Sequence, residues 1–74
     1  MGQIKNQAIL KYIALRIKQL REERHMTQLD LYNDTNVQIG RIENCSRNVT
    51  VSTLYHICIY FNITMQEFFQ DFEG

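Results

Sequence analysis

Two segments of this 74-residue chain carry the same signal for the start of a helix. In each, a threonine precedes an acidic residue by three positions, and an apolar residue lies on either side of the pair. The threonine oxygen can accept from a free backbone N–H, the acidic side chain can return the bond, and the apolar pair fixes the entry of the chain. The two sets are Met26-Thr27 with Asp30-Leu31, and Ile63-Thr64 with Glu67-Phe68. Helices are therefore predicted to begin near residues 27 and 64.

Two weaker start signals and one long amphipathic segment complete the predicted architecture. Thr50 has the flanking apolar residues but only Thr53 at the third position, and Thr35 with Gln38 has the polar pair without the apolar flanks. Apolar residues also recur at helical spacing between residues 3 and 24, and no strand-like alternation is sustained anywhere. We expect one all-α domain over residues 1–74, with helices at about 3–24, 28–33, 36–44, 51–61 and 65–72.

The composition excludes several classes of protein. Hydrophobic residues make up 45% of the chain and charged residues 22%, which is typical of a globular domain. No apolar run is long enough to cross a bilayer, no signal-peptide pattern is visible, and no membrane partner is expected. Two cysteines, Cys45 and Cys58, are too few for a disulfide scaffold, so we expect free thiols and a cytoplasmic location.

The net charge of zero conceals an asymmetry along the chain. All eight lysines and arginines precede residue 51, which leaves residues 1–50 with a charge of +3 and residues 51–74 with −3. This distribution indicates that the basic part of the chain binds an anionic partner and that the acidic part has a different function.

Three ordered segments are specific enough to indicate a family. They are Arg16-Ile17-Lys18-Gln19-Leu20-Arg21, then Met26-Thr27-Gln28 with Leu31, then Ile39-Gly40-Arg41-Ile42-Glu43-Asn44. Together with the ending Ile63-Thr64 and Glu67-Phe68, they resemble the Cro and phage-repressor type (XRE) helix-turn-helix family over about residues 14–70. The resemblance implies a compact five-helix lambda-repressor-like domain that binds DNA in a sequence-specific manner, with no catalysis and no cofactor. Residues 1–13 would extend helix 1.

The resemblance places the helices relative to DNA, and the chemistry of the side chains then suggests roles for individual residues. The third helix would lie in the major groove of double-stranded DNA, and the second would cross the backbone. Amide and guanidinium side chains can be bidentate to base edges, and exposed polar groups flanking the helices can reach phosphates. The expected base-contacting residues are Asn36, Gln38 and Arg41, and the expected phosphate-contacting residues are Thr27, Gln28, Asn44, Arg47 and Asn48. Arg21 and Glu43 match a family pair that joins helix 1 to helix 3, so we expect a partly buried salt bridge there.

The chain departs from the family between Leu31 and Ile39, where three residues are missing. If the turn is shortened, Thr35 caps a helix that begins with Asn36. If the recognition helix is shortened, Asn36 and Val37 form the turn and the helix begins near Gln38. The polar pair of Thr35 and Gln38 modestly favours the first option.

Local departures concern three further positions. His25 and Cys45 stand where the family often has a left-handed glycine at the end of a helix. Gly40 is expected to make room for Tyr32, which occupies a position where the family prefers alanine.

No enzyme or metal site is predicted. His56 and Cys58 are two residues apart on a predicted helix, so they point to different faces, and Cys58 is better explained as a small core residue. No paired carboxylates, phosphate-binding glycine loop or second ligand cluster accompanies them.

The acidic C-terminal end is rich in aromatic residues, and a small domain cannot easily bury them all. We therefore expect a homodimer, with Phe68, Phe69 and Phe72 at its interface, since a two-fold dimer doubles the length of DNA that is read. The leading interpretation is a dimeric transcriptional regulator. The alternative is an antitoxin-like interaction module that masks a partner protein such as a toxin, with DNA binding secondary.

Overall fold

The computed structural model describes residues 6–46 and 48–73, and every regular element within them is a helix. The helices, in chain order, are α1 (Gln7–Glu23), α2 (Gln28–Thr35), α3 (Ile39–Glu43), α4 (Val51–Phe61) and α5 (Met65–Phe68). The all-α prediction is therefore confirmed. No described helix has both the length and the apolar character that crossing a bilayer requires.

Every helix contributes to a single hydrophobic core. The side chains with less than 2% exposure come from all five helices, which shows that none of the helices lies apart from the others. They are Ile17 of α1, Leu31 of α2, Ile39 of α3, Ile57, Cys58 and Phe61 of α4, and Phe68 of α5. Cys58 is a core residue, as the sequence predicted.

Helices α2, α4 and α5 begin at the predicted threonines. Thr27 and Thr64 each form a complete capping box, in which the threonine oxygen accepts from the N–H three residues on and the acidic side chain accepts from the threonine N–H. Thr50 accepts from the N–H of Thr53 at 3.1 Å. Helix α1 begins after Asn6, whose side chain accepts from Ile9 N, and the part of the predicted helix before residue 6 lies outside the described residues.

The boundary between α2 and α3 differs from the favoured prediction. Thr35 is the last residue of α2 rather than the cap of α3, because its buried hydroxyl donates to Leu31 O at 2.7 Å and accepts from Val37 N at 3.2 Å. Asn36 then takes a left-handed conformation (φ 60°) that ends the helix. Since α3 begins only at Ile39, the prediction of a helix over 36–44 was wrong, and the structure agrees with the other alternative, in which Asn36 and Val37 form the turn.

Left-handed residues end several of the helices. His25 (φ 56°) and Cys45 (φ 61°) occupy the two positions where the family often has glycine, so that expectation is confirmed. After α1, Met26 N donates to Arg21 O and His25 N to Glu22 O, each at 3.0 Å. This Schellman pattern satisfies carbonyl groups that a helix end leaves free, but it places L-residues in a conformation that glycine adopts more readily.

The C-terminal aromatic residues pack on α1. Tyr12 stacks on Phe69 (ring centroids 5.7 Å apart), contacts Phe72 (5.1 Å) and donates its hydroxyl proton to Phe68 O at 2.6 Å. Phe68 has no exposed surface, so its predicted place at a dimer interface was wrong. Helix α5 also ends at Phe68, earlier than predicted, because the chain turns there and brings Phe69 and Phe72 onto Tyr12.

Candidate nucleic-acid interface

Arg21 and Glu43 tie α1 to α3 through a two-pronged ion pair. The Nε and Nη2 atoms of Arg21 each donate to a different oxygen of Glu43, both at 3.0 Å, and Nη1 donates to Met26 O at 2.8 Å. The two side chains are 11% and 7% exposed. The hydrogen bonding that Arg21 donates to Glu43 is the main cause that raises the pKa of the Arg21 guanidinium. The pair fixes the last residue of α3 relative to α1.

Gln28 joins this ion pair from α2. Its Nε2 donates to Glu43 Oε1 at 3.1 Å, so the first residue of α2 is bound to the last residue of α3. The other end of the amide lies over Gly40, where an added Cβ would come within 3.3 Å of Gln28 Oε1. Gly40 thus makes room for Gln28, and the expectation that it accommodates Tyr32 was wrong.

The bond between Gln28 and Glu43 was missed by the sequence analysis, which gave Gln28 only a phosphate contact. The available signal was the chemistry of Glu43. A buried carboxylate has more lone pairs than one guanidinium fills, so it needs a further donor.

The N-terminus of α2 presents backbone N–H groups to solvent. The capping box uses the N–H of Asp30 (3.0 Å to Thr27 Oγ1) and the N–H of Thr27 (2.9 Å to Asp30 Oδ2). The bond from the Thr27 backbone is the main cause that lowers the pKa of the exposed Asp30 carboxyl. The first N–H groups of a helix have no partner within it, so those of Gln28 and Leu29 are available to an anion.

Helix α3 separates a buried face from an exposed one. Ile39 and Ile42 are 1% and 7% exposed, whereas the side chains of Gln38 and Arg41 lie at the surface. Within residues 6–46 and 48–73, neither Gln38 nor Arg41 has a side-chain hydrogen bond or ion pair, while Gln38 N-caps the helix without a side-chain bond. Two donor-rich side chains on one short element are therefore available to an external acceptor.

An open groove of about 250 Å³ adjoins this exposed face. Its walls come from the turn before α3, from α3 itself and from the segment that enters α4. The lining residues are Asn36, Val37, Gln38, Arg41, Ile42, Asn48, Val49, Thr50 and Thr53. The structure thus brings the three predicted base-contacting residues, Asn36, Gln38 and Arg41, to one groove.

Asn44 and Asn48, two of the predicted phosphate-contacting residues, follow α3 in the chain. Asn44 directly follows α3 as its C-cap, and its Oδ1 accepts from Ser46 N at 2.9 Å, which leaves its amide N–H₂ group to donate. The Arg41 carbonyl accepts from Ser46 N at 3.0 Å and from Ser46 Oγ at 3.1 Å, which fixes the turn that follows. Asn48 is exposed at the groove, and Arg47 lies outside the described residues.

His56 and Cys58 are held apart by packing. His56 Nε2 lies 3.1 Å from Thr35 O, while Cys58 is buried with its Sγ 3.5 Å from Met65 Sδ. Burial is the main cause that raises the pKa of the Cys58 thiol, which disfavours the thiolate that a metal would need. Among residues 6–46 and 48–73, no three histidine, cysteine or acidic side chains are grouped as metal ligands.

Comparison with known families agrees with this arrangement of helices. The family described as the Cro/C1-type HTH DNA-binding domain matches residues 16–73, which is most of the chain and includes α2, α3 and the groove. No curated protein and no solved structure matches significantly. The chain belongs to the Cro/C1-type helix-turn-helix DNA-binding family, and its function is the binding of DNA.

Proposed function

We propose that this protein is a transcriptional regulator that reads operator DNA as a homodimer through the exposed face of α3. The observation that carries the proposal is the pairing of two features on this helix. Ile39 and Ile42 anchor it in the core, and Gln38 and Arg41 present side-chain donors that no described residue of the chain uses. A helix fixed on one side and rich in free donors on the other suits the major groove.

Each side chain has a preferred base. Arg41 can donate two hydrogen bonds to O6 and N7 of guanine, and the amide of Gln38 can be bidentate to N6 and N7 of adenine. Asn36 has the same amide chemistry and lies at the adjacent turn. Because α3 contains only five residues, it would cover few base pairs, so each of these contacts would carry a large share of the specificity.

Phosphate contacts would orient α3 without selecting a sequence. At the start of α2, the side chain of Gln28 already binds Glu43, so the donors offered to a phosphate would be the backbone N–H groups of Gln28 and Leu29. Thr27, Asn44, Arg47 and Asn48 are assigned to the flanking phosphates on chemistry and position in the sequence. The basic charge of residues 1–50 supports an anionic partner for this part of the chain.

A homodimer follows from the small size of the reading surface. A two-fold pair of recognition helices, roughly 34 Å apart along the duplex, would read two half-sites on one side of the DNA. A cytoplasmic location belongs to the same proposal, because a reducing compartment fits the two free cysteines.

Selection of bound fragments from random DNA tests the proposal. We expect a preferred site with two-fold symmetry from the wild-type protein. Arg41→Ala should weaken binding to that site by roughly 1–3 kcal/mol and relax the base preference at one base pair of each half-site. Lys11→Ala is the matched control, since it removes an exposed positive charge from α1 and should leave the base preference unchanged.

Two outcomes would contradict the proposal in different ways. If Arg41→Ala weakens binding to every sequence equally, Arg41 contacts the backbone and the assignment of base readers is wrong. If the wild-type protein selects no sequence at moderate salt, the antitoxin-like interaction module becomes the better interpretation, and the zero net charge of the whole chain would favour it.

A further inference from the structure

One face of α4 is apolar, exposed and uncovered by any described part of the chain. Val51, Tyr55 and Ile59 are 76%, 56% and 57% exposed. They follow one another at intervals of four residues, so they form a continuous stripe along the helix. The stripe spans roughly 12 Å, given a rise of about 1.5 Å per residue.

The remaining faces of α4 already have partners within the chain. Leu54, Ile57, Cys58 and Phe61 are buried in the core. On a third side, His56 lies against Thr35 O of α2, and the Tyr60 hydroxyl donates to Asp34. The stripe is therefore not a core face that a small rotation of the helix would cover.

The charge of this region favours a second copy of the chain as the occupant. No aspartate, glutamate, lysine or arginine occurs between Asn48 and Gln66. A two-fold interface places a surface against itself, so any net charge on it would be repelled by its own copy. An uncharged stripe avoids this repulsion, and it offers nothing to a charged partner such as DNA.

The position of the stripe fits a dimer that reads DNA. Thr50 and Thr53 line the groove next to α3, and Val51 lies between them in sequence at the start of the stripe. The two recognition helices of such a dimer would therefore lie near the contact between the copies. Phe69 and Phe72, which the sequence analysis assigned to the interface, are half-buried and pack on Tyr12.

The size of the stripe sets the strength of the contact. Stable dimers commonly bury about 800 Å² on each partner, which three side chains on an 11-residue helix do not supply by themselves. The pair would be weak in the free protein and strengthened on an operator, where both half-sites hold the two copies together.

We propose that Val51, Tyr55 and Ile59 form the surface through which two copies of this chain associate, with Tyr55 at the two-fold axis. The proposal rests on the operator-binding homodimer described above and names its contact. Tyr55 is the middle residue of the stripe. Two helices related by a two-fold axis through that point bring Tyr55 against its own copy, whether they run parallel or antiparallel.

Sedimentation equilibrium without DNA separates this proposal from the assignment of base readers. We expect a concentration-dependent monomer–dimer equilibrium in the wild type. Tyr55→Glu should raise its dissociation constant roughly tenfold or more, because two carboxylates would meet at the axis. Leu15→Glu, which changes an equally exposed leucine on α1, should leave the dissociation constant unchanged.

Crosslinking gives a second measurement that does not introduce charge. In a Cys45→Ser background, a short bismaleimide should join Tyr55→Cys chains into covalent dimers, and Leu15→Cys chains should not be joined. Circular dichroism must first show that each variant is folded.

A monomer at all concentrations, or a dimer that Tyr55→Glu does not weaken, would overturn the proposal. The first result would assign the stripe to a different protein or to the chain's own residues outside the described ranges. Either result could occur in a protein that still selects one DNA sequence. The assignment of base-contacting residues is therefore tested separately, by the DNA-selection experiment.

Discussion

Gln28 Nε2 donates to Glu43 Oε1 over 3.1 Å, which binds the first residue of α2 to the last residue of α3. The same carboxylate oxygen accepts from Arg21 Nη2 at 3.0 Å. Three helices thus meet at a single carboxylate, and the angle between the two helices of the DNA-binding unit depends on it. The packing of the free protein and its DNA-binding geometry are coupled at this point.

Arg21→Ala should destabilise the protein by about 3–5 kcal/mol, because it leaves the Glu43 carboxylate buried with its main partner removed. Urea unfolding followed by circular dichroism measures the change. Glu22→Ala, which alters an exposed neighbour on α1, should change the free energy of unfolding by about 0.5 kcal/mol or less. A urea unfolding curve for Arg21→Ala that coincides with that of the wild type would show that the ion pair contributes little to stability.

The effect of Gly40→Ala on the free energy of unfolding should depend on the residue at position 28. Alanine is favoured over glycine by about 1 kcal/mol in a helix interior and by less at Gly40, the second residue of α3, and the new Cβ would lie 3.3 Å from Gln28 Oε1. Part of the stabilisation that alanine brings to the helix should therefore be lost while Gln28 is present. It should be recovered in a Gln28→Ala background. A double-mutant cycle of unfolding free energies should give a coupling of about 0.5 kcal/mol or more. Strictly additive effects would mean that Gln28 does not lie over Gly40 in solution.

Cys45→Gly should stabilise the protein by about 1 kcal/mol. Cys45 holds φ at 61°, a conformation that costs an L-residue roughly 1–2 kcal/mol and glycine almost nothing. Gln19→Gly is the matched control, since it places glycine at an exposed interior position of α1 and should cost about 0.5–1 kcal/mol relative to alanine. Thermal unfolding of both variants, with Gln19→Ala as the reference, measures the contrast. If Cys45→Gly is less stable than the wild type, the thiol makes a contact that contributes more free energy to folding than the relief of backbone strain does.

The contact between α4 and α2 should weaken at alkaline pH. The hydrogen bond from the Tyr60 hydroxyl to Asp34 is the main cause that raises the pKa of Tyr60. A raised pKa in the folded state means that the stabilisation is fully present below the ordinary tyrosine value of about 10. It is lost as the pH rises through the higher folded value, because the ionised hydroxyl cannot donate.

The difference in stability between the wild type and Tyr60→Phe therefore reports on this bond. It should be constant from neutral pH to about 10 and decline above that value. Tyr55→Phe is the control, since the Tyr55 hydroxyl has no hydrogen bond to any part of the chain that the structure describes. An equal decline in both comparisons would assign the effect to general alkaline unfolding.

The start of α2, α4 and α5 could be predicted from the sequence because the determining contacts are local. Thr27 and Thr64 bind N–H groups three residues away, so no distant part of the chain has to be known. The left-handed ends at His25 and Cys45 were likewise recognised from the spacing of the family motif. The family itself, and with it the fold, followed from the order of these short segments.

The tertiary structure decided where α3 begins, where the aromatic residues lie and what Gln28 contacts. Thr35 has the same side chain as the capping threonines, but it is buried and its hydroxyl turns to Leu31 O, so it ends a helix instead of starting one. Phe68 is buried, although the sequence predicted it to be exposed at an interface. Its backbone carbonyl accepts a hydrogen bond from Tyr12, which is 56 residues earlier in the chain. These outcomes depend on which side chains share a desolvated interior, because a buried polar group must take whatever partner the packing brings, and local sequence does not contain that information.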